Sequence, residues 1–468
     1  MDFVLAVIIV LLFSMALFYW VRRAGTSNGV PGPPGLPLLG HLHLLDPAAP
    51  YLTLAQLVDQ YGKVFKLRFG SVPCLVVADP SLLKVLFSKS ETTGRAPLYL
   101  THGIMQGRGL ICAEGLVWQE QRFWLGGVLK QMLKERNLGA EVGQLVTDKL
   151  TGAAGQWMDP APLLADLIGN CMNQLIFGMQ YEPDSPVWLW LQDLREKGIK
   201  LMGVCGAVNF LPWLRFWPTT ARNIRWIKEG QIKTHAEYER IVRDREKCLE
   251  RGAAPVCVTD YYLREMQGRQ EQGVPVGSFT RDQLYHLQAD IFGAGTDTTL
   301  TTILWNLLII SSKKELQGRI QAELDEGREN LLRAAQLEVS RLRPVTPLGV
   351  PHGTVADLKV RNGHIDKGTM IMANHWYINR DPATWPNPDR FDETRFLGTQ
   401  EGAKIFPFQV GRRRCLGADL AKSLVDGVLL QIFSEFEVVL EPGQDPWAAP
   451  HHGFTLEPQP FRVKFNLR

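Results

Sequence analysis

The stretch that decides the fold lies near the carboxyl terminus and reads Phe408-Gln409-Val410-Gly411-Arg412-Arg413-Arg414-Cys415-Leu416-Gly417. Its glycines let the backbone pass close to a flat ligand and direct amide groups at the sulfur. Its arginines favour the thiolate of Cys415 over the thiol. A lone cysteine is more often a small buried apolar residue, so the spacing of the whole stretch carries the interpretation.

A second motif, Ala294-Gly295-Thr296-Asp297-Thr298-Thr299, falls in the middle of the longest helical pattern. That pattern begins at Thr280, where Thr280 and Gln283 form a capping box, and continues to about Ser311. A helix of about 30 residues is ~45 Å long and should cross the core. Glycine, a carboxylate and hydroxyls all cost helix propensity there. The alternative to a functional role is a kinked, hydroxyl-rich patch in a buried helix.

The first motif contains Phe-x-x-Gly-x-Arg-x-Cys-x-Gly, which resembles the haem-binding signature of the cytochrome P450 family. The resemblance implies that Cys415 is the axial thiolate ligand of the iron in haem b, a ligand that favours O–O cleavage. It also implies a cofactor-binding loop that includes Phe408, Gly411 and Gly417.

The second motif resembles the oxygen-binding segment of the same family. The resemblance implies that Gly295 opens space for dioxygen beside the haem. It further implies that Asp297 and Thr298 relay protons during oxygen activation, which is a general-acid role.

The resemblance also implies roles for two further sets of residues. Haem propionates need hydrogen-bond donors, and arginine suits carboxylates. The resemblance assigns to the propionates Trp118, Arg122, His352 and Arg413. His352 has the alternative interpretation of an ordinary loop histidine.

The other set begins with Glu338 and Arg341, which share a helix face at i, i+3. Such a pair is by default solvated and contributes only tenths of a kcal/mol. In the resembled family the pair is buried and is joined by a second arginine, here Arg395, in a structural network.

The amino terminus has the character of a membrane segment, because Phe3 to Val21 lacks charge and Arg22 and Arg23 follow at once. As a helix this stretch would reach ~28 Å, close to the hydrocarbon thickness of a bilayer. A cleaved secretory signal would instead carry its basic charge before a shorter apolar core. We therefore expect residues 1–23 to be a signal-anchor transmembrane helix, with the rest of the chain in the cytosol.

The expected domains after the anchor are a proline-rich hinge over residues 24–40 and a cytochrome P450 haem domain over residues 41–468. The resemblance implies a single-pass protein of the endoplasmic reticulum membrane that receives electrons from NADPH-cytochrome P450 reductase. It also admits cytochrome b5 as a partner. Lys130, Lys134 and Arg136 fit equally a solvated helix face and a docking surface for an acidic redox partner.

Composition limits the remaining possibilities. The 468 residues are 45% apolar and carry a net charge of +3, which excludes a chain disordered throughout and gives no argument for nucleic-acid binding. Seven scattered cysteines exclude a disulfide scaffold and suit a reducing compartment. Helical patterns dominate, and alternation predicts strands at Val64–Phe69, Val72–Val77, Phe436–Val439 and Arg462–Phe465. The expected fold is mainly α with a minor β part, the cytochrome P450 fold.

The expected substrate class rests on the segment from Thr93 to Met105 and its continuation from Gly109 to Gly115. This segment resembles the arthropod ecdysteroid-pathway monooxygenases of the family, and among them most closely a steroid 25-hydroxylase. The resemblance implies hydroxylation of the side chain (C25) of an ecdysteroid precursor. An apolar lining that suits a sterol, and many drugs too, is expected from Leu98, Leu100, Ile104, Met105, Ile111, Phe292, Val345 to Val350 and Phe454.

Three other functions remain open. One is an ecdysteroid 26-hydroxylase, because related enzymes share much of this segment. The second is a broad-specificity xenobiotic monooxygenase, and the third is an inactive haem-thiolate binding protein.

One departure from the family pattern concerns the approach to Glu338. Members normally have a long connection before the helix that carries this residue, whereas here Glu323 to Asn330 runs directly into Leu331. The missing length is on the order of two dozen residues, comparable to ordinary loops with a short helix. Its absence puts folding, haem retention and partner docking in question.

Overall fold

The computed structural model describes residues 29–201, 206–360, 363–398, 401–453 and 455–468. In these ranges the chain forms fourteen α-helices and twelve short strands, which confirms a mainly α fold with a minor β part. The helices are α1 Pro50–Tyr61, α2 Pro80–Ser88, α3 Gly115–Glu135, α4 Leu138–Thr151, α5 Pro160–Phe177, α6 Pro186–Leu201, α7 Ala207–Phe210, α8 Pro218–Glu250, α9 Val258–Glu271, α10 Arg281–Ser311, α11 Lys314–Asp325, α12 Asn330–Leu342, α13 His375–Ile378 and α14 Ala418–Glu435. The strands are β1 Val64–Phe69, β2 Val72–Val77, β3 Gly94–Arg95, β4 Trp157–Met158, β5 His352–Gly353, β6 Leu358–Val360, β7 Gly363–Ile365, β8 Met370–Ala373, β9 Phe436–Leu440, β10 His451–His452, β11 Leu456–Glu457 and β12 Val463–Leu467.

Helix α10 is the centre of the core, as its length predicted. It packs against α5, α12 and α14, and most of its 31 residues are buried. The side chain of Thr280 caps its amino terminus by accepting a hydrogen bond from the backbone N–H of Gln283 at 3.2 Å. The other half of the expected capping box is not formed, because the Gln283 amide bonds to Gly109 instead.

The largest sheet has the strand order β1-β2-β8-β5-β3. Its β1–β2 hairpin covers the two alternating runs found in the sequence, and Val64 pairs with Val77. At the other edge Arg95 of β3 pairs with His352 of β5. This register brings together two side chains that are 257 positions apart in the chain. The carboxyl-terminal strands β9 and β12 also form, in a separate sheet with β4.

The expected anchor at residues 1–23 lies outside the described residues, as does the first part of the expected hinge. Among the described residues, none of the helices combines the length and the apolar character that a bilayer crossing requires. The proline-rich segment from Val30 onward packs against β1, where the Lys66 N–H donates to the Pro31 carbonyl at 2.8 Å. Gly32 permits this approach, because a Cβ there would lie 2.2 Å from the Lys66 carbonyl oxygen.

A four-residue turn replaces the long connection that the family normally has before Glu338. It joins α11 to α12, with Gly327 in the left-handed region at φ 72°. The Glu323 carbonyl accepts from the Arg328 N–H at 2.8 Å, and the Glu323 carboxylate accepts from the Leu331 N–H at 2.8 Å. Leu331 and Leu332 are buried in the main core. The shortened chain therefore still packs α12 in place.

Candidate active site

Backbone hydrogen bonding closes the cysteine loop. The Cys415 N–H donates to the Phe408 carbonyl at 2.8 Å. Gly411 has φ 79°, and a Cβ on it would lie 2.1 Å from the Phe87 carbonyl oxygen, so the loop requires glycine at this position. A Cβ on Gly417 would meet no atom of the described residues within 4 Å. Open space therefore lies beside the second glycine, where a flat ligand could pass.

The surroundings of the Cys415 sulfur act on its charge in opposite directions. Burial raises the pKa of the thiol, while the Gly417 N–H, Arg122 and Arg414 act to lower it. Burial has the larger effect, so the arginines alone do not stabilise the thiolate as the sequence suggested. Of the other two arginines, Arg412 donates to the Ser88 carbonyl at 2.8 Å. A thiol whose pKa is raised in this way still becomes a thiolate when a metal cation binds it.

One face of α10 is open in the middle of an otherwise buried helix. Ala294 is exposed, and Thr298, one turn later on the same face, is half-buried. The Thr298 hydroxyl donates to the Ala294 carbonyl at 2.7 Å. Asp297 is buried, and its carboxylate accepts from the Thr455 hydroxyl at 2.8 Å. The structure thus places a hydroxyl on the open face and a carboxylate just behind it.

Gly295 does not lie on that open face. A Cβ at this position would be 2.5 Å from Cε of Met172 on α5. The glycine therefore allows α10 and α5 to pack closely, which is a structural reason for its presence. Its expected role in making space for dioxygen stays a prediction.

Three arginines converge beside the cysteine loop with few anions to balance them. Burial is the main cause that lowers the pKa of Arg413 to about 8 and that of Arg95 to about 10. Arg122 lowers both values further, and Arg95 also lowers that of Arg413. Glu114 is the carboxylate that opposes this effect at both residues. Such enclosed cations would gain from a ligand with two carboxylates.

The accessibility of two residues also fits a haem. Cys415 is exposed and Arg95 is partly exposed, although protein surrounds both enough for burial to dominate their pKa values. Both residues therefore have surface that the described protein atoms leave accessible within an otherwise enclosed region. The open face of α10, the space at Gly417 and the excess positive charge are the features that a flat, dianionic, thiolate-ligated cofactor requires. The residues present therefore fit haem.

The four residues expected at the propionates lie close to one another, with different partners. The Arg413 guanidinium lies 4.4 Å from the ring centroid of buried Trp118, and that of Arg122 lies 5.7 Å from it. Arg122 also donates to the Arg414 carbonyl at 2.7 Å, and Arg413 donates to the Thr93 carbonyl at 2.5 Å. Their nitrogen atoms are thus held against the loops that flank the cysteine.

His352 is buried, stacks on Phe87 at 3.8 Å between ring centroids, and contacts the Thr92 carbonyl through Nδ1 at 3.0 Å. A carbonyl only accepts hydrogen bonds, so Nδ1 carries the proton and Nε2 of the neutral ring is an acceptor. Burial lowers the pKa of His352 well below its usual value. Binding of a propionate at Nε2 would therefore have to bring a second proton onto the ring, and this role stays a prediction.

Glu338, Arg341 and Arg395 come together as a buried network. Arg341 donates to both carboxylate oxygens of Glu338, at 2.7 and 2.8 Å, and both side chains are fully buried. Arg395 lies 3.5 Å from the same carboxylate. Arg341 also donates to the carbonyls of Asn379 and Pro388 at 2.8 and 2.6 Å. The network holds α12 against the segment that leads to the cysteine loop.

Sequence reasoning missed the residues that hold the segment before α3 against α10. The Asp290 carboxylate accepts from the N–H groups of Leu110 and Ile111 at 2.6 and 2.8 Å. The Gln283 amide donates to the Gly109 carbonyl at 2.7 Å and accepts from its N–H at 3.1 Å. The available signal was the spacing of seven residues between Gln283 and Asp290, which places both polar side chains on the same face of α10.

The expected apolar lining divides between two environments. Leu98 and Phe292 are buried in the hydrophobic cores, and the Phe292 ring packs edge-on to Trp188 at 6.0 Å. Leu100, Met105 and Ile111 are partly exposed and remain candidates for substrate contact. Phe454 lies outside the described residues.

A cysteine presented by a closed loop, a central helix with an open polar face, and enclosed arginines define the arrangement of a haem-thiolate protein. The family model for Cytochrome P450 matches residues 30–465. The chain is 36% identical to Cytochrome P450 306a1 of Drosophila melanogaster over 532 aligned positions, which cover 96% of this chain and 91% of that protein. It is 29% identical to human Cytochrome P450 1B1 (96% and 89% covered) and 27% identical to Drosophila Cytochrome P450 18a1 (99% and 92% covered).

The chain belongs to the cytochrome P450 family and is a cytochrome P450 monooxygenase. The family uses a haem with a thiolate ligand, dioxygen and electrons from a redox partner. The alignment with the first relative is longer than this chain, so that relative has residues that this chain lacks. This agrees with the short turn between α11 and α12.

Proposed function

We propose that this protein hydroxylates the side chain of a steroid, at C25 of an ecdysteroid precursor, with Cys415 as the ligand of haem b. The observations that support haem binding are the group of enclosed arginines beside a closed cysteine loop and the open polar face in the middle of α10. Bound haem would supply the activation of dioxygen, in which two electrons and two protons yield one alcohol oxygen and one water.

The other roles in the reaction are proposed for particular residues of this chain. Arg122, Arg413 and Trp118 bind the propionates, with His352 as a further partner, and Phe408, Gly411 and Gly417 shape the loop around the sulfur. The proton relay is proposed for the Thr298 hydroxyl and the Asp297 carboxylate. It is supported by the position of half-buried Thr298 on the open face of α10 and by the Thr455 hydroxyl, which donates to the Asp297 carboxylate.

The steroid assignment rests on the segment from Thr93 to Gly115. Its likeness to arthropod ecdysteroid-pathway enzymes supports the substrate class, and its partly exposed Leu100, Met105 and Ile111 provide apolar surface for a sterol. Hydrogen bonds from this segment to Asp290 and Gln283 hold it in a defined position. A segment that is held in one position favours the binding of one rigid substrate over the binding of xenobiotics of many shapes.

The proposed setting is the endoplasmic reticulum membrane, with residues 1–23 as a single-pass anchor and the haem domain in the cytosol. NADPH-cytochrome P450 reductase is the proposed electron donor, with cytochrome b5 as a second partner. Support comes from a group of exposed cations on the cysteine loop and on the helices that flank it: Lys130, Lys134, Arg412, Arg414 and Lys422. Such a surface attracts an acidic partner.

The test is product analysis with a labelled ketodiol precursor in membranes that contain the full chain and its reductase. The proposal predicts an alcohol at C25 whose formation depends on NADPH. Product at C26 would indicate the 26-hydroxylase, and faster turnover of a panel of xenobiotics would indicate broad specificity. Haem binding without any product or NADPH consumption would indicate an inactive binding protein.

A further inference from the structure

Two histidines and one aspartate meet at the crossing of α8 and α10, away from the cysteine loop. They are His235 on α8 and Asp282 and His286 on α10, and one ligand atom from each lies within 4.8 Å of the other two. Asp282 and His286 are spaced i, i+4, so they share one face of their helix. The histidine rings lie 4.9 Å apart between centroids and are nearly perpendicular.

We propose that this cluster, hereafter the α8–α10 cluster, binds a zinc ion that ties α8 to α10. Two imidazoles and one carboxylate are zinc ligands, and three protein ligands leave a fourth position for water. Tetrahedral zinc with bonds of ~2.0–2.1 Å holds its ligand atoms ~3.3 Å apart. The three ligand atoms already lie within 4.8 Å of one another, so binding requires each pair to approach by at most ~1.5 Å.

The state of the histidines suits a metal rather than a structural hydrogen bond. His286 is 4% exposed, and its buried Nδ1 has no hydrogen-bond partner among the described residues. A ring nitrogen without a hydrogen-bond partner is available to a metal ion.

Arg108 is the group that competes with a metal. Its guanidinium forms an ion pair with the Asp282 carboxylate, and the two side chains are 43% and 45% exposed. Because Arg108 lies in the segment before α3 and is half-exposed, it can move into solvent when a cation takes its place.

A zinc ion that links α8 to α10 would affect how α8 moves. Helix α8 is largely polar and buries few residues, and its other described links to α10 include ion pairs of Arg281 with Glu239 and Glu246. The amino-terminal half of α8 lines a surface cavity of about 350 Å³ together with Tyr99 and Phe216. Zinc at the α8–α10 cluster would restrict movement of α8 relative to α10.

The experiment measures zinc retained by the untagged, full-length holoprotein after equilibrium dialysis, with Zn²⁺ alone as the probe. We expect one zinc per chain that is lost in H235Q and in D282N, two variants whose folding is checked by their haem spectra. A second cluster, Asp357, His364 and Asp366, is mostly exposed. H364A is therefore the control, and it should retain the ion.

Two further outcomes make the test decisive. R108A should bind zinc about tenfold more tightly, equivalent to about 1.4 kcal/mol, whereas R243A, which removes an exposed charge elsewhere on α8, should have no effect. Zinc should also raise the melting temperature of the wild type and not of H235Q. The proposal is overturned if the wild type retains no zinc, if H364A loses it, or if R108A weakens binding.

Discussion

At the scale of single residues, the charges around the cysteine loop are out of balance in the protein alone. Burial raises the pKa of Cys415 and lowers that of Arg413. Each shift opposes the charged form that a haem-thiolate site needs. Iron would stabilise the thiolate and propionates would stabilise the guanidinium, so both groups depend on the cofactor for their ionised state.

The Thr298 hydroxyl is the residue on which the proposed proton relay depends most. The T298V variant keeps the size of the side chain and removes the hydroxyl, so we expect NADPH consumption to continue while product per NADPH falls roughly tenfold or more. T302V is the matched control, because Thr302 lies one turn away and its hydroxyl donates to the Thr298 carbonyl at 2.7 Å. Equal coupling in the two variants would argue against a relay through Thr298.

Asp290 gives the fold a pH dependence of known sign. Burial raises its pKa from 3.8 to about 6, so the folded chain binds a proton more tightly than the unfolded chain does. Stability from this group therefore increases as the pH falls from above 6 toward 4. D290N, whose amide oxygen can still accept from Leu110 and Ile111, should be more stable than the wild type by about 1–3 kcal/mol near pH 7.5, and by about half as much near pH 5.

Denaturant unfolding of the holoprotein at both pH values measures this difference. The matched control is D148N, which replaces an exposed aspartate on α4 and should behave like the wild type at each pH. An advantage of D290N that does not change with pH would contradict the raised pKa.

At the scale of elements, the buried network holds α12. In E338Q the guanidinium of Arg341 loses its charged partner inside the core, which we expect to cost about 3–5 kcal/mol. The control is E329Q at the residue just before this helix, where the exposed pair of Glu329 with Arg333 should contribute less than about 1 kcal/mol. Yield of haem-loaded protein and unfolding in denaturant measure both. Similar losses in the two variants would contradict a special role for the network.

From the geometry of the turn between α11 and α12, we expect two glycine substitutions to change the stability of the protein in opposite directions. Gly327 has φ 72°, and Gly318 lies in the middle of α11, where a Cβ on either would meet no described atom within 4 Å. G327A should therefore destabilise the protein by about 1–2 kcal/mol through backbone strain. G318A should stabilise it by up to about 1 kcal/mol through helix propensity. Changes of the same sign in the melting temperature would contradict the turn as described.

Elements with strong local patterns could be predicted from the sequence. The hairpin of β1 and β2 and the helix α10 match the alternation from Val64 and the helical pattern from Thr280. The second half of the capping box could not be predicted. Gln283 finds a partner at Gly109, which is distant in the chain, and local pattern says nothing about such contacts.

At the scale of the whole molecule, motifs predicted the site residues and the fold supplied their partners. Cys415, Thr298 and the Glu338 network were predicted from spacing and family likeness. Arg95 was overlooked as a site residue, because its place beside Arg413 depends on the pairing of β3 with β5. A short sequence motif does not show which distant strands pair in the folded chain. Because the connection before Glu338 is missing, the sequence did not show whether α12 packs in place. The burial of Leu331 and Leu332 in the main core explains how it does.

The measurement that tests the central claim most directly is the carbon-monoxide difference spectrum of the reduced, full-length protein. The account predicts the red-shifted Soret band of thiolate-ligated haem in the wild type and its loss in C415S. It predicts that C112S keeps the band, although Cys112 also lies close to Arg95 and Arg413. A wild type without the band, or a C415S variant that retains it, would contradict Cys415 as the haem ligand.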